Sequence, residues 1–312
     1  MFRTLLQDKK VSIDKEKCMK CALCARVCPM QLSPYTDYDD KCQLKSDDCI
    51  RCGACIANCP AKALSFEENR SFTGEPCPHT KKKRQEYKAV IEKVEDLTPD
   101  IRQFTFKFIE PDKVSFNPGQ FMIIKVLDGP IVFRAYSISS TPDECSLLKL
   151  AIKKVSDGLG SPLVFEFKEG MEVLLEGPMG EFTLYDDSKD IIMVANGIGV
   201  TPFVSMAKEA LRRKKGNVKL LFGIRNEQDI MYDDYFKELS EAYPDFEYIL
   251  SLTKPSENWK GHKGRVPAII EKMDLKGYDA YLCGSKPMLK DTKEALMKNG
   301  VKSERIFFES FF

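Results

Sequence analysis

Two cysteine runs constrain this chain more than any other feature. The first reads Cys18-x-x-Cys21-x-x-Cys24-x-x-x-Cys28-Pro29, and the second reads Cys49-x-x-Cys52-x-x-Cys55-x-x-x-Cys59-Pro60. A run of this spacing, closed by Cys-Pro, holds iron–sulfur clusters of the [4Fe–4S] type. Three closely spaced thiolates wrap one face of a cubane, so the fourth ligand comes from elsewhere. Zinc sites more commonly use two separate Cys-x-x-Cys pairs. A disulfide framework would suit a short secreted chain, whereas the opening residues MFRTLLQDKK lack the apolar stretch of a secretory signal.

Residues 1–68 resemble the bacterial-type two-cluster ferredoxins, with Val11–Ile13 and Ala63–Phe66 as short flanking strands. In that group the fourth cysteine of each run serves the other run's cluster. The resemblance therefore implies one [4Fe–4S] cluster on Cys18, Cys21, Cys24 and Cys59, and a second on Cys49, Cys52, Cys55 and Cys28. Cys42, Cys77 and His79 fall outside both runs, too few for a further cluster, and read as free thiols and a loop histidine.

Charge narrows the partners. The 312 residues carry 48 basic and 47 acidic side chains, without the basic excess that nucleic acid or an anionic membrane surface selects. No apolar run is long enough for a membrane span, so no membrane insertion is expected. Twelve cysteines without a secretory signal point to a reducing, cytoplasmic setting. The oxygen sensitivity of exposed clusters adds the expectation of an anaerobic or low-oxygen one.

After Phe66 the periodicity stops, and residues 69–86, with Gly, Pro and a Lys-Lys-Lys-Arg block, read as a linker. Residues 87–187 turn strand-like. Ala89–Val94, Ile101–Phe108, Phe121–Val126, Leu147–Lys153 and Met171–Glu176 are short runs separated by turn signals such as Asn117-Pro118-Gly119. They predict a small antiparallel barrel, interrupted by a helix over Ser161–Phe167. Residues 188–312 alternate strand and helix. Strands at Ile191–Ala195, Val218–Phe222, Phe246–Leu250, Asp279–Cys283 and Arg305–Phe308 are separated by helices beginning near Thr201, Tyr232, Val266 and Pro287. Repeated βα units imply an open parallel sheet that binds nucleotide at its strand carboxyl ends. The fold class is thus multidomain: an α+β ferredoxin-like two-cluster domain, an antiparallel β-barrel flavin domain and an α/β parallel-sheet nucleotide-binding domain.

The flavin assignment comes from motif order. Pro118-Gly-Gln-Phe121, Arg134-Ala135-Tyr136-Ser137, Gly158-Leu159-Gly160-Ser161, Gly177-Pro-Met-Gly-Glu-Phe182, Gly197-Ile-Gly199-Val-Thr201-Pro202 and Cys283-Gly284-Ser-Lys-Pro-Met288 follow one another. Any one glycine-rich turn is weak; the series over residues 87–312 closely resembles the ferredoxin–NADP⁺ reductase family. That resemblance implies FAD as cofactor, with Arg134 offering its planar fork to the diphosphate. Amides near Gly158, Leu159, Gly160 and Ser161 are expected to add an anion site, which favours FAD over FMN. Tyr136 is placed to stack on the flavin ring, beside Ala135, and Ser137 to donate near its N5. Gly197 and Gly199 let the backbone approach the nicotinamide dinucleotide at the helix opened by Thr201 and Pro202. Asn196 replaces a small residue usual in the family, and its tolerance of left-handed geometry is expected to preserve the turn.

The same resemblance places Cys283, beside Gly284 and Met288, near the nicotinamide C4 as a free thiol that aids hydride transfer. Phe311 matches the aromatic that covers the flavin until nicotinamide displaces it; the plain alternative is a tail packed on the sheet. Glu309 is a candidate active-site carboxylate, or else a solvated tail charge. Arg225 could meet a 2′-phosphate and Tyr232 could stack on adenine. The neighbouring Glu227 and Asp229 tilt the reading from NADP(H) toward NAD(H). The expected activity is conversion of hydride transfer between NAD(P)H and FAD into single-electron transfer through the clusters. The partner would be a redox protein or a soluble ferredoxin, and either direction is open. The rival readings are a non-autonomous electron-transfer subunit of a hydrogenase, carbon monoxide dehydrogenase or bifurcating complex, and a redox sensor.

Overall fold

The computed structural model describes residues 10–46, 49, 51, 53–67, 85–126, 132–156, 158, 160–213 and 216–310. Cys52, Cys77, His79, Leu159, Phe311 and nearly all of the stretch expected as linker lie outside them.

The first unit is small. Strand β1 (Lys10–Ile13) is followed by two single-turn helices, α1 (Leu23–Arg26) and α2 (Ala54–Ala57), and then by strand β2 (Leu64–Glu67). β2 pairs antiparallel with β1, Val11 opposite Phe66 and Ile13 opposite Leu64. Among the described residues its fully buried core is Val11, Ile13, Leu44 and Leu64 with the thiols of Cys24 and Cys55, and Leu32, Tyr35, Tyr38 and Ile56 pack against it half-buried. So thin a core normally needs a metal or covalent staple. The repeat visible in the cysteines also governs the backbone. Lys20, Ala22 and Gln31 have φ of 53°, 58° and 57°, and their counterparts Arg51, Gly53 and Lys62 have 52°, 71° and 50°. Each non-glycine residue held this way costs about 1–2 kcal/mol; Gly53 spares the second half that cost at the position of Ala22.

The second unit is a six-stranded antiparallel barrel. β3 (Gln85–Thr98), β4 (Ile101–Glu110), β5 (Phe121–Val126), β6 (Val132–Ser137), β7 (Leu147–Lys153) and β8 (Glu172–Met179) lie in the order β6-β5-β8-β3-β4-β7. A bridge between Ile138 and Leu150, with Ser139 N–H donating to the Lys149 carbonyl at 2.9 Å, joins the two ends. Alternation along the strands sends Ile91, Phe104, Phe106, Met122, Ile124, Leu148 and Leu150 inward, as a period of two requires. β3 begins at Gln85, inside the stretch expected as linker. Helix α3 (Ser161–Phe165) ends two residues earlier than expected, where the Phe165 carbonyl accepts from Arg102 Nη1 at 2.9 Å.

The third unit is a parallel sheet. Its elements are β9 (Asp190–Asn196), α4 (Thr201–Arg212), β10 (Val218–Ile224), α5 (Asp233–Ala242), β11 (Phe246–Leu252), β12 (His262–Lys263), α6 (Val266–Ile270), β13 (Tyr278–Gly284), α7 (Lys286–Lys298) and β14 (Ile306–Ser310). The strand order is β12-β11-β10-β9-β13-β14. The chain runs outward from β9, then returns across it to β13, so the order reverses between β9 and β13. That reversal opens a crevice at the strand carboxyl ends. β9 is buried on both faces: Ile191, Met193 and Ala195 join one core, Ile192 and Val194 the other. This is why it reads as an unbroken apolar run rather than an alternating one. Ile101 and Ala151 of the barrel share the first of these cores, which seats the barrel against the parallel sheet.

Candidate active site

β6 delivers Arg134, Ala135, Tyr136 and Ser137 to one cavity of about 610 Å³, which Gly158, Gly160, Ser161, Ile198 and Thr201 also line. The motifs separated in sequence thus converge, with Leu159 outside the described residues. Arg134 is buried, and burial depresses its pKa. Its Nη1 donates to the Phe133 carbonyl at 2.8 Å and, more loosely, to the carbonyls of Arg26 (3.3 Å) and Cys28 (3.4 Å). Among the described residues no carboxylate pairs with it. A buried cation without a counter-charge calls for an anion, and a flavin diphosphate supplies one. Gly160 makes room for the guanidinium: a Cβ there would lie 2.5 Å from Arg134 Cγ. Tyr136 packs against the barrel core while lining the cavity, and burial raises its pKa. α3 is a single turn, and Ser161 Oγ accepts the Val155 N–H at 2.9 Å, which ties the start of the turn to the preceding loop.

A second cavity, about 1340 Å³, opens at the β9/β13 reversal, lined by Asn196, Gly197, Arg225, Arg265, Ser285 and Met288 among others. Gly197 takes the left-handed turn (φ 52°) with open space over its Cα, so a diphosphate can reach the backbone there. Gly199 is needed for close packing instead, since a Cβ would lie 2.3 Å from the Cys283 carbonyl. It lets the turn after β9 press against the end of β13. Gly199→Ala is expected to cost about 2 kcal/mol of stability through overpacking and to weaken nucleotide binding; urea melts and nucleotide titration check both. Thr201 Oγ1 donates to the Ile198 carbonyl at 2.9 Å, and Pro202 sits in the first turn of α4, whose N-terminus has no side-chain cap. Thr201 N–H donates to the Ile198 carbonyl and Pro202 has no N–H, so α4 continues the turn of Gly197–Val200 and does not itself open to phosphate.

Asn196 corrects its expected role. Its backbone is extended (φ −133°), and Gly197 carries the left-handed geometry. The Asn196 side chain instead bridges the crevice, Oδ1 accepting from Ser285 N–H at 2.9 Å and Nδ2 donating to Ser285 Oγ at 3.2 Å.

Tyr232 does not line this cavity. Its φ of 57° turns the ring into the core, and its hydroxyl donates to Gln103 Oε1 of the barrel at 2.9 Å. The adenine-stacking role expected for it gives way to a contact between units. The carboxylates used to favour NAD(H) are likewise engaged. Glu227 accepts Ser256 N–H at 2.8 Å, which lowers its pKa, and Asp229 accepts Asn226 N–H at 3.0 Å in a capping box. Arg225, Asp229, Asp100 and Arg265 all line the cavity, and Arg265 Nη2 pairs with Asp291 at 2.7 Å.

Cys283 and Glu309 face each other in the β13/β14 register. Cys283 is fully buried, and burial, reinforced by the Glu309 charge, raises its pKa, so the thiol stays protonated. Burial pushes Glu309 up to about 7, and its Oε2 and the Ser310 hydroxyl have no hydrogen-bond partner among the described residues. Two orphaned buried polar groups next to a neutral thiol suit a polar ligand edge arriving there. Phe311, expected to cover the flavin, lies outside the described residues.

The cysteines ring two cavities of nearly equal size. Cys18, Cys21, Cys24 and Cys59 line one of about 330 Å³; Cys28, Cys49 and Cys55 line the other, of about 340 Å³. Cys52 lies outside the described residues. The chain thus carries Cys28 and Cys59 each into the opposite repeat's cavity. Each thiol accepts an N–H four residues on, from Leu32 and Ala63 respectively, both at 3.3 Å. Cys42 lines neither cavity and packs on the small core. Sequence reading missed Gln31 and Lys153. Gln31 belongs to the first unit yet lines the cavity of Arg134 and Tyr136, and Lys153 lines that cavity and the nucleotide cavity alike. No local motif marks either, because each acts across a contact between units.

Comparison with known proteins agrees with this layout. Residues 10–60 match the 4Fe-4S dicluster domain, 88–184 the oxidoreductase FAD-binding domain and 193–294 the oxidoreductase NAD-binding domain. The chain is 31% identical over 230 residues to the glycine betaine monooxygenase reductase subunit of Chromohalobacter salexigens, covering 70% of this chain and 62% of that one. It is 30% identical over 237 residues to ferredoxin–NADP reductase B of Sorangium cellulosum, covering 72% of this chain and 97% of that one. The ferredoxin NADP⁺ reductase from Neisseria gonorrhoeae with bound FAD and NADP superposes with a TM-score of 0.64 at 25% identity, over 73% of this chain and 99% of that one.

The fold and cavities define an FAD- and nicotinamide-dependent oxidoreductase with an iron–sulfur domain at its N-terminal side. The chain belongs to the ferredoxin–NADP⁺ reductase family.

Proposed function

We propose that this chain couples hydride exchange with NAD(P)H to single-electron exchange with a redox protein, through FAD and two [4Fe–4S] clusters. The observation that carries the reading is the position of the cavity lined by Arg134, Tyr136 and Ser137. It shares Lys153 with the nucleotide cavity and takes Gln31 from the cluster unit. Bound FAD supplies the interconversion of two-electron and one-electron chemistry, and the protein supplies binding, orientation and electrostatics. Arg134 neutralises the flavin diphosphate, and Tyr136 and Ser137 flank the ring. The turn at Gly197 lets the nucleotide diphosphate reach the backbone. Cys283 stays a neutral thiol and Glu309 holds a proton below about 7. The cysteines of the two runs, Cys18, Cys21, Cys24, Cys59, Cys49, Cys52, Cys55 and Cys28, hold the clusters. The relative named as a monooxygenase reductase subunit supports a protein partner on the cluster side.

Arg225 on the cavity wall, with Glu227 and Asp229 each accepting a backbone N–H, is the residue that would take a 2′-phosphate and so favour NADP(H), although Asp229 lines the same cavity and Arg265 pairs with Asp291. Arg225→Ala is expected to raise KM for NADPH about tenfold, the loss of one charge-assisted contact, with KM for NADH little changed. Equal losses for both nucleotides would remove Arg225 from that role. The function itself is tested by anaerobic turnover of the purified chain with NADPH or NADH and a viologen dye. Sustained turnover is expected. A stoichiometric burst that stops would identify a subunit dependent on a larger complex.

A further inference from the structure

We propose that Gln31 is a cofactor-binding residue: its carboxamide, carried by the first unit, hydrogen-bonds FAD held by the barrel. The proposal rests on the reading of the Arg134 cavity as the FAD site. Gln31 lines that cavity with Arg134, Tyr136, Ser137 and Gly160, and among the described residues it is the first unit's sole contribution to the wall. It is exposed, and no described residue hydrogen-bonds its carboxamide. A carboxamide offers two N–H donors and an accepting oxygen. That set suits the phosphate oxygens and hydroxyls of a dinucleotide and adds no charge to oppose them.

Two contacts hold Gln31 in place. Its N–H donates to the Cys28 carbonyl at 3.1 Å. The same carbonyl accepts Arg134 Nη1 at 3.4 Å, and the Arg26 carbonyl accepts it at 3.3 Å. The cation that answers the diphosphate thus also fixes the turn that presents the carboxamide. The second repeat separates this use from the fold. Lys62 is the counterpart of Gln31: its φ is 50° against 57°, and its N–H donates to the Cys59 carbonyl at 3.1 Å. Lys62 is exposed and does not line the FAD cavity. The left-handed turn is therefore a property of the repeat, whereas the place on the cavity wall belongs to its first copy.

The pair supplies a matched test. Glycine accepts a left-handed backbone without strain, so Gln31→Gly and Lys62→Gly each remove a side chain and keep the turn. FAD release from the purified full chain is followed after dilution as the rise in free-flavin fluorescence. Gln31→Gly is expected to release FAD about fivefold faster, the loss of one neutral hydrogen bond, and Lys62→Gly to release it at the wild-type rate. A wild-type rate in Gln31→Gly, or equal acceleration in both variants, overturns the proposal. A second measurement needs no substitution. Amide exchange, read by mass spectrometry, is compared between the full chain loaded with FAD and the same chain stripped of it. FAD should slow exchange over residues 26–32 about threefold and leave the matching residues 57–63 unchanged. No slowing over 26–32, or equal slowing over both segments, overturns the proposal. Uptake of FAD separates this failure from that of the parent reading. A wild-type chain that takes up no FAD overturns the reading of the cavity and the role of Gln31 with it. A chain that binds FAD and gives either contrary result overturns the role of Gln31 alone.

Discussion

Replacing Cys28 with alanine is expected to halve the iron of the chain, from ~eight to ~four atoms, and to abolish cluster reduction by NAD(P)H. Cys28 stands between three parts of the molecule. Its thiol lines the cavity of Cys49 and Cys55, although it belongs to the other run. Its sulfur accepts Leu32 N–H and its carbonyl accepts Arg134 Nη1. Losing the thiol removes the ligand that joins the first repeat to the second repeat's cluster. Among the described residues the buried core has four aliphatic side chains and two thiols, with Leu32, Tyr35, Tyr38 and Ile56 packed on it, and for a core this small metal-binding free energy becomes folding free energy. Iron analysis, EPR and thermal melting check the outcome. Cys42→Ala is the control: that thiol lines neither cavity, so the iron should be unchanged. Full iron in the Cys28 variant would contradict the cross-repeat ligand set.

Stability of the wild-type chain should fall as pH rises from 4.5 to 7, and Glu309→Gln should remove that slope. The folded-state pKa of Glu309 is about 7 against 4.5 for an ordinary carboxyl, with burial the cause. Between those values the folded chain holds a proton that the unfolded chain has released. Stability is therefore highest below pH 4.5 as far as this group is concerned, and the full penalty, about 3 kcal/mol, is reached above pH 7. The neighbouring Cys283 thiol stays neutral over this range and adds no slope. Denaturant melts at pH 5 and pH 8 measure the difference. The variant should match the wild type at pH 5 and exceed it at pH 8. Parallel pH dependence in both proteins would place the Glu309 carboxyl in contact with water.

How much of this could be read from the residues depended on whether a signal was local. The grouping of the cysteines round two cavities was legible because each run carries its own fixed spacing. β9 was legible because burial on both faces leaves an unbroken apolar run, Ile191 to Ala195. Arg134 and Gly197 were legible through short motifs. Contacts made across units were not. Arg134 and Cys28 are 106 residues apart, and nothing near Gln31 announces that it borders the cavity of Arg134 and Tyr136. Tyr232 was misplaced because an aromatic after a glycine turn can face either way, and its left-handed backbone sends it toward Gln103. The engagement of Asp229 did have a signal: Asn226-x-x-Asp229 is a capping-box spacing. Read that way, it would have withdrawn one of the two carboxylates used to favour NAD(H).

The central claim is that one hydride is divided between two clusters. Anaerobic titration of the purified chain with NADPH or NADH, followed by EPR and iron analysis, tests it most directly. The account predicts ~eight irons per chain and two reduced-cluster signals that develop together with about one equivalent of nucleotide, two electrons in all. A chain with ~four irons, or one whose flavin is bleached by nucleotide while its clusters stay oxidised, would contradict it.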